Sequence, residues 1–137
     1  MAIKQTLPTA AHERLSAAKD AIYLDVRTEA EFERGHPAGA VNVPVVFLDP
    51  TGGPARPNDQ FVDQVARVAR PDQEIIVGCQ SGGRSQRACE ILSRAGYTDL
   101  SNVQGGFGGA RDRAGNVVKG WLDSGLPVET GRGAKRS

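Results

Sequence analysis

Cys79-Gln-Ser-Gly-Gly-Arg84-Ser85 places a thiol, two hydroxyls, two adjacent glycines and a guanidinium within one short stretch. Gly82 and Gly83 let the backbone curl, so that successive N–H groups of Gln80, Ser81, Gly82, Gly83, Arg84 and Ser85 can converge as an anion-binding nest. A cysteine at the mouth of such a nest, at a helix N-terminus and beside Arg84, is expected to favour thiolate. Thiols in these settings titrate at roughly 3.5–7.5 instead of about 8.5. Cys79 is therefore read as a nucleophile whose substrate or product is an anion. The second cysteine, Cys89, falls at helical spacing with apolar neighbours and is expected to pack in the core. Two cysteines and two histidines, His12 and His36, make neither a disulfide framework nor a zinc pattern, so no metal and no cofactor is expected.

The elements that hold this loop are legible on both sides of it. Ile75, Ile76 and Val77 form a β-branched run, the pattern of a strand buried on both faces of a parallel sheet. After the loop the period changes to that of a helix, with Ala88, Ile91, Leu92 and Ala95 on one stripe and Gly96 as a stop. Further strands are expected at Ala21–Val26, Ala40–Val43 and Leu100–Val103. Helices are expected from a Thr9 cap through His12, Leu15 and Ala18, at Thr28–Glu33 with Glu31 in capping-box spacing, from Phe61 through Val68 and Ala69, and briefly from Trp121. Residues 49–58, the glycine-rich turn at 105–109 and the polar stretch 111–120 read as loops. Strands alternating with helices predict an α/β domain with a parallel sheet between helical layers. Cys79 then falls at the C-terminal end of a strand, where open α/β sheets bind ligands.

The 137 residues suit one domain, and a net charge of +1 with no aromatic–basic stripe argues against nucleic acid as a partner. No apolar run approaches a membrane-spanning length, and the first eighteen residues carry neither an apolar signal core nor a cleavage site, so no membrane association and a cytoplasmic address are expected. A monomer is expected, with residues 1–128 as the domain and 129–137 as a basic, disordered tail.

Four segments resemble the single-domain rhodaneses, a family of sulfurtransferases. Asp25-Val-Arg27 with Glu31 and Phe32 is similar to the family's D-V-R…E-F segment. Gly35-His36-Pro-Ala-Gly39-Ala40-Val-Asn42-Val-Pro44 is similar to G-H-x-x-G-A-x-N-x-P. The Cys79 loop resembles the C-Q-S-G-x-R-S active-site loop, and Gly105-Gly106, Trp121 and Gly125-Leu126-Pro127 resemble the C-terminal G-G…W…G-L-P signature. The resemblance spans residues 7–128 and implies a three-layer α/β/α fold around a mainly parallel sheet of about five strands.

It also implies a chemistry. Cys79 attacks the outer sulfur of a donor such as thiosulfate, expels sulfite and carries a persulfide, which cyanide or a thiol, including a thioredoxin-like protein, then removes. On this reading Arg84 orients the anionic donor, the loop N–H groups hold the sulfur, and Ser81 and Ser85 add hydroxyl donors. Asp25, Arg27 and His36 are implied to be supporting residues, Arg27 bonding neighbouring loops and His36 fixing its own. Four residues separate Cys79 from Arg84, one fewer than in the thiol phosphatases, whose wider loop accommodates a tetrahedral phosphate. Phosphatase or arsenate reductase activity, or a non-catalytic binding module, are the alternatives. Two departures stand out: Pro37 follows His36 where a branched aliphatic is usual, and about a dozen extra residues, 107–118, precede Trp121. The insertion is read either as a harmless surface segment or as an added wall of the entrance, at which Arg111, Arg113 or Lys119 steers anionic donors.

Overall fold

The computed structural model describes residues 3–132. In chain order the elements are β1 (Lys4–Thr6), α1 (Pro8–Ala17), β2 (Ile22–Asp25), α2 (Glu29–Arg34), β3 (His36–Pro37), β4 (Val41–Asn42), β5 (Val46–Phe47), β6 (Arg56–Pro57), α3 (Phe61–Ala66), β7 (Ile75–Gly78), α4 (Gly83–Arg94), β8 (Leu100–Val103), β9 (Ala110–Arg111), β10 (Val117–Val118) and β11 (Val128–Glu129). Five strands form the central sheet in the order β1-β8-β7-β2-β4, every pairing parallel. β7, which delivers Cys79, lies in the middle. Its register sets Tyr23, Ile76 and Ser101 side by side in one row, and Leu24, Val77 and Asn102 in the next.

Alternation along the strands sends side chains to two cores, as the two-residue period requires. On one face Leu24, Val26, Ile75, Val77 and Leu100 meet Phe61 and Val65 of α3 and Ala88, Cys89 and Leu92 of α4. On the other, Tyr23, Ile76 and Val103 meet Ala11 of α1, Phe32 of α2 and Trp121. The three-layer α/β/α arrangement follows directly.

Several local expectations need correction. Pro8, not Thr9, opens the first helix, with Leu7 at the cap and no side-chain cap bond; proline's fixed φ and missing N–H suit the first helical position, which moves the start back. α3 stops at Ala66, leaving Val68 exposed while Ala69 still packs in the core. Trp121 and Leu122 sit in successive turns rather than a helix: Ser124 and Gly125 N–H close single turns onto the Trp121 and Leu122 carbonyls, and Gly125, at φ +72, ends them at once. β1 was not foreseen: three residues paired on one edge carry too short a pattern to read. The insertion is a hairpin, β9 against β10, and the breaker-rich loop contributes β6, paired with β5. At the C-terminal end, Val128–Glu129 pairs with His36–Pro37, and Gly131 N–H donates to the Glu33 carbonyl at 2.7 Å. The chain is thus tied down beyond residue 128; the remainder of the expected tail, 133–137, lies outside the described residues.

Candidate active site

Cys79 leaves the end of β7 and its backbone turns at once into the loop. Gly78, directly before it, has no Cβ because the Tyr23 hydroxyl occupies that space. Gly82 stands at the head of α4 with φ +118, a conformation that favours glycine. This turn brings two backbone donors onto the sulfur: Gly82 N–H lies 3.1 Å and Ser85 N–H 3.3 Å from Cys79 Sγ. Of the six N–H groups expected to converge, those of Gly82 and Ser85 reach the sulfur, at the N-terminal end of α4. Cys79 is 2% exposed. Gln80, Ser81 and Gly83 are exposed, so the loop's outer side faces solvent.

The loop is gripped from behind by the insertion's first residues. Phe107 N–H donates to the Cys79 carbonyl and Gly108 N–H to the Gln80 carbonyl, both at 2.8 Å. Gly106, at φ +53, runs so close that a Cβ there would meet the carbonyl oxygen of Cys79 and lie 2.8 Å from the carbonyl carbon of Gln80. Gly106 permits this approach, whereas at Gly105, φ +82, a Cβ would lie 2.7 Å from the Lys119 carbonyl oxygen.

Arg84 is held by a carboxylate. Its two terminal nitrogens donate to Glu31 Oε1 and Oε2 at 2.8 and 3.0 Å. Glu31 also closes the capping box of α2, accepting from Thr28 N–H at 3.1 Å while its own N–H donates to Thr28 Oγ1. Burial pushes the Glu31 carboxyl up, but the hydrogen bonds from Arg84 and Thr28 outweigh it and bring it to about 2. Hydrogen bonding to Glu31 correspondingly raises Arg84.

Ser85 serves the loop in a way different from that expected. Its hydroxyl is buried and turned inward to Asn102 Oδ1 and the Gly82 carbonyl. Asn102 in turn donates to Gln5 Oε1 at 2.9 Å. The backbone N–H of Ser85, not its side chain, reaches the sulfur. Asp25, Arg27 and His36 are all buried. Arg27 clamps Asp25 at 2.8–3.2 Å, donates to the Gly35 carbonyl at 2.7 Å, and lies 4.6 Å from the Phe107 ring centre. His36 stacks on Phe32 and donates from Nδ1 to the Phe32 carbonyl at 2.7 Å. Asn42, which the sequence reading left without a task, donates to the carbonyls of Asp25 and Arg27 at 3.0 and 2.9 Å.

Beside the loop opens a cleft of about 340 Å³ lined by Arg27, Glu31, Arg34, Gln80, Phe107 and Leu122 together with Gly35 and Gly108. Arg111, Arg113 and Lys119 are not among its walls; Arg111 turns back onto the Gly115 carbonyl at 2.8 Å within the hairpin. The arginines that line the cleft are Arg27 and Arg34 instead. Nothing in the sequence near Arg34 marked it, since its position follows from the α2 turn beyond Glu31. Phe107 and Leu122 were likewise unmarked, because their placement depends on the fold of the insertion.

A rhodanese-like domain model matches residues 7–112. The chain is 39% identical over 121 residues to thiosulfate sulfurtransferase 16, chloroplastic, of Arabidopsis thaliana, covering 88% of each. It is 27% identical over 116 residues to a sulfurtransferase of Allochromatium vinosum, covering 85% of each. Among solved structures, Rv0390 of M. tuberculosis superposes with a TM-score of 0.75 at 34% identity, covering 96% of this chain and 100% of that one.

Proposed function

Because the chain belongs to the family of rhodanese-like domains, we propose that it is a sulfurtransferase that carries sulfane sulfur as a persulfide on Cys79. The observation that carries this reading is the convergence of the Gly82 and Ser85 N–H groups on Cys79 Sγ. Those donors stabilise charge on sulfur without a general base, and they leave the outer face of the loop free for a small anionic donor. The thiolate attacks the outer sulfur of a thiosulfate-like molecule; the S–S bond of the donor breaks with its electron pair leaving on sulfite. The new terminal sulfur takes the place in the nest where an oxyanion would sit in other chemistries. An acceptor nucleophile, cyanide or a thiol, then attacks that terminal sulfur and returns Cys79 to thiolate. Arg84 is fixed at the loop's edge by Glu31, whose carboxylate counters its charge.

Two relatives bearing the name sulfurtransferase, one from a plant and one from a bacterium, support the reaction class. The test is intact mass after incubation with thiosulfate. One added sulfur, removed by cyanide and absent from Cys79→Ser, is the expected result. No gain in the native chain, or a gain that persists in Cys79→Ser, overturns the reading; phosphate and arsenate esters, or a purely recognition role for the loop, would then be pursued.

A further inference from the structure

The charges around the cleft beside the loop are almost all cancelled. Arg27 is closed onto Asp25, 2% exposed, and Glu31 onto Arg84 through two short bonds. Arg34 is the exception. It is exposed, lines the cleft, and forms no ion pair among the described residues. The lining also has an apolar part: Phe107, partly buried, and Leu122, 54% exposed, joined where Leu122 N–H donates to the Phe107 carbonyl at 3.1 Å. Gln80, next to the nucleophile in the chain, borders the same space.

A cleft of about 340 Å³ lies within the range that holds an organic small molecule and far exceeds what a thiosulfate-sized anion fills. Since the donor needs only the nest around Cys79, the cleft is left for the second substrate. We propose that it is the acceptor subsite, and that it selects organic thiols with an apolar body and a terminal carboxylate. Arg34 takes the carboxylate, and Phe107 and Leu122 cover the body. The inference rests on the reading of Cys79 as a sulfur carrier. In the step itself the acceptor thiolate attacks the terminal sulfur of the persulfide. A new S–S bond forms on the acceptor, the Cys79 Sγ–S bond breaks, and its electron pair returns to Cys79 as thiolate. Neither oxidant nor reductant is consumed.

The test compares two acceptors that differ only in their end group, mercaptohexanoate and mercaptohexanol, with thiosulfate as donor. For the native chain kcat/KM should favour the carboxylate by about tenfold, the worth of one charge-assisted contact. Arg34→Gln should remove that preference by raising KM for the carboxylate alone, whereas Arg113→Gln, on the hairpin away from the cleft, should keep it. Leu122→Ser should weaken both thiols alike. Binding of S-methylated mercaptohexanoate, followed by NMR titration, reads the subsite without any sulfur transfer. Loss of its binding in Arg34→Gln supports the inference even if no persulfide forms, an outcome that would sink the transfer reading alone. Equal kcat/KM for the two thiols, or S-methyl binding indifferent to Arg34→Gln, overturns the subsite.

Discussion

Arg84 and Glu31 meet through two parallel hydrogen bonds, of 2.8 and 3.0 Å, that join the catalytic loop to the first turn of α2. A guanidinium fork matches a carboxylate in a way an ammonium cannot, so the pair fixes the orientation of Arg84 as well as its charge. One carboxylate thereby caps a helix and anchors a loop fifty-three positions away.

That double duty gives stability a pH dependence of definite sign. The Glu31 carboxyl is lowered from 4.5 to about 2 in the folded chain, so its stabilisation is fully present above 4.5 and is lost as pH falls toward 2. Discounted for the partial exposure of the pair, the loss is on the order of 2 kcal/mol. Urea unfolding of the native chain and of Glu31→Gln across that window should converge toward acid, with the variant the less stable at neutral pH. A constant gap between the two curves would contradict it.

Ser85→Ala separates the hydroxyl from the backbone amide. The substitution leaves Asn102 Oδ1 without its buried donor, a cost of about 1–3 kcal/mol, while the Ser85 N–H still reaches Cys79 Sγ. Denaturation should therefore show the loss, and thiosulfate loading of Cys79, measured by mass, should persist. A stable variant that no longer loads would restore a direct substrate role to the hydroxyl.

Gly106→Ala and Gly115→Ala share a positive φ but differ in surroundings. At Gly115 nothing lies within 4 Å of the added carbon, so the cost is the left-handed conformation alone, about 1 kcal/mol. At Gly106 the carbon strikes the backbone of Cys79 and Gln80, which cannot swing away. Stability should fall by more than about 2 kcal/mol there and turnover by at least about tenfold. Comparable behaviour of the two variants in calorimetry and assay would refute the backbone contact.

Cys89 should take no part in sulfur chemistry. It is fully buried in the core against α4's neighbours, and burial pushes its thiol up to about 12. Cys89→Ala is expected to keep turnover within about twofold and to cost about 1 kcal/mol of stability. Alkylation at mild alkaline pH should label Cys89 only at the rate of global unfolding. Rapid labelling of Cys89 in the folded chain, or lost turnover in the variant, would reopen a resolving role.

Much of this was legible in the residues. Ile75–Val77 announced the central strand because a both-faces-buried strand favours β-branched side chains, and Gly82 announced the curl of the loop because its φ of +118 favours glycine, whereas Gly83 already belongs to α4. Thr28 and Glu31 announced the start of α2 through reciprocal capping, though not that Glu31 would also seize Arg84. That second partner comes from packing between segments distant in sequence. β1 and the β3–β11 pairing were unreadable for a related reason: strands of two or three residues carry no period, and their partners are supplied by the assembled sheet. The cleft was misread at its cations for the same cause. Arg111, Arg113 and Lys119 looked available by composition, whereas the hairpin ties the exposed Arg111 to the Gly115 carbonyl and it is Arg34 that lines the cleft.

The grip of Phe107 and Gly108 on the loop has a consequence for how its polarity arises. The carbonyls of Cys79 and Gln80 are both occupied at the rear by amides from the Gly105–Gly109 turn. A peptide unit is planar, so pinning the oxygens of Cys79 and Gln80 also fixes the directions of the Gln80 and Ser81 N–H groups. The donors that reach Sγ, the Gly82 and Ser85 N–H groups, belong to later peptide units, and the rear contacts act on them by fixing where the curl begins. Altering the Gly105–Gly109 segment should therefore retune the nucleophile with the cysteine loop itself left letter for letter unchanged.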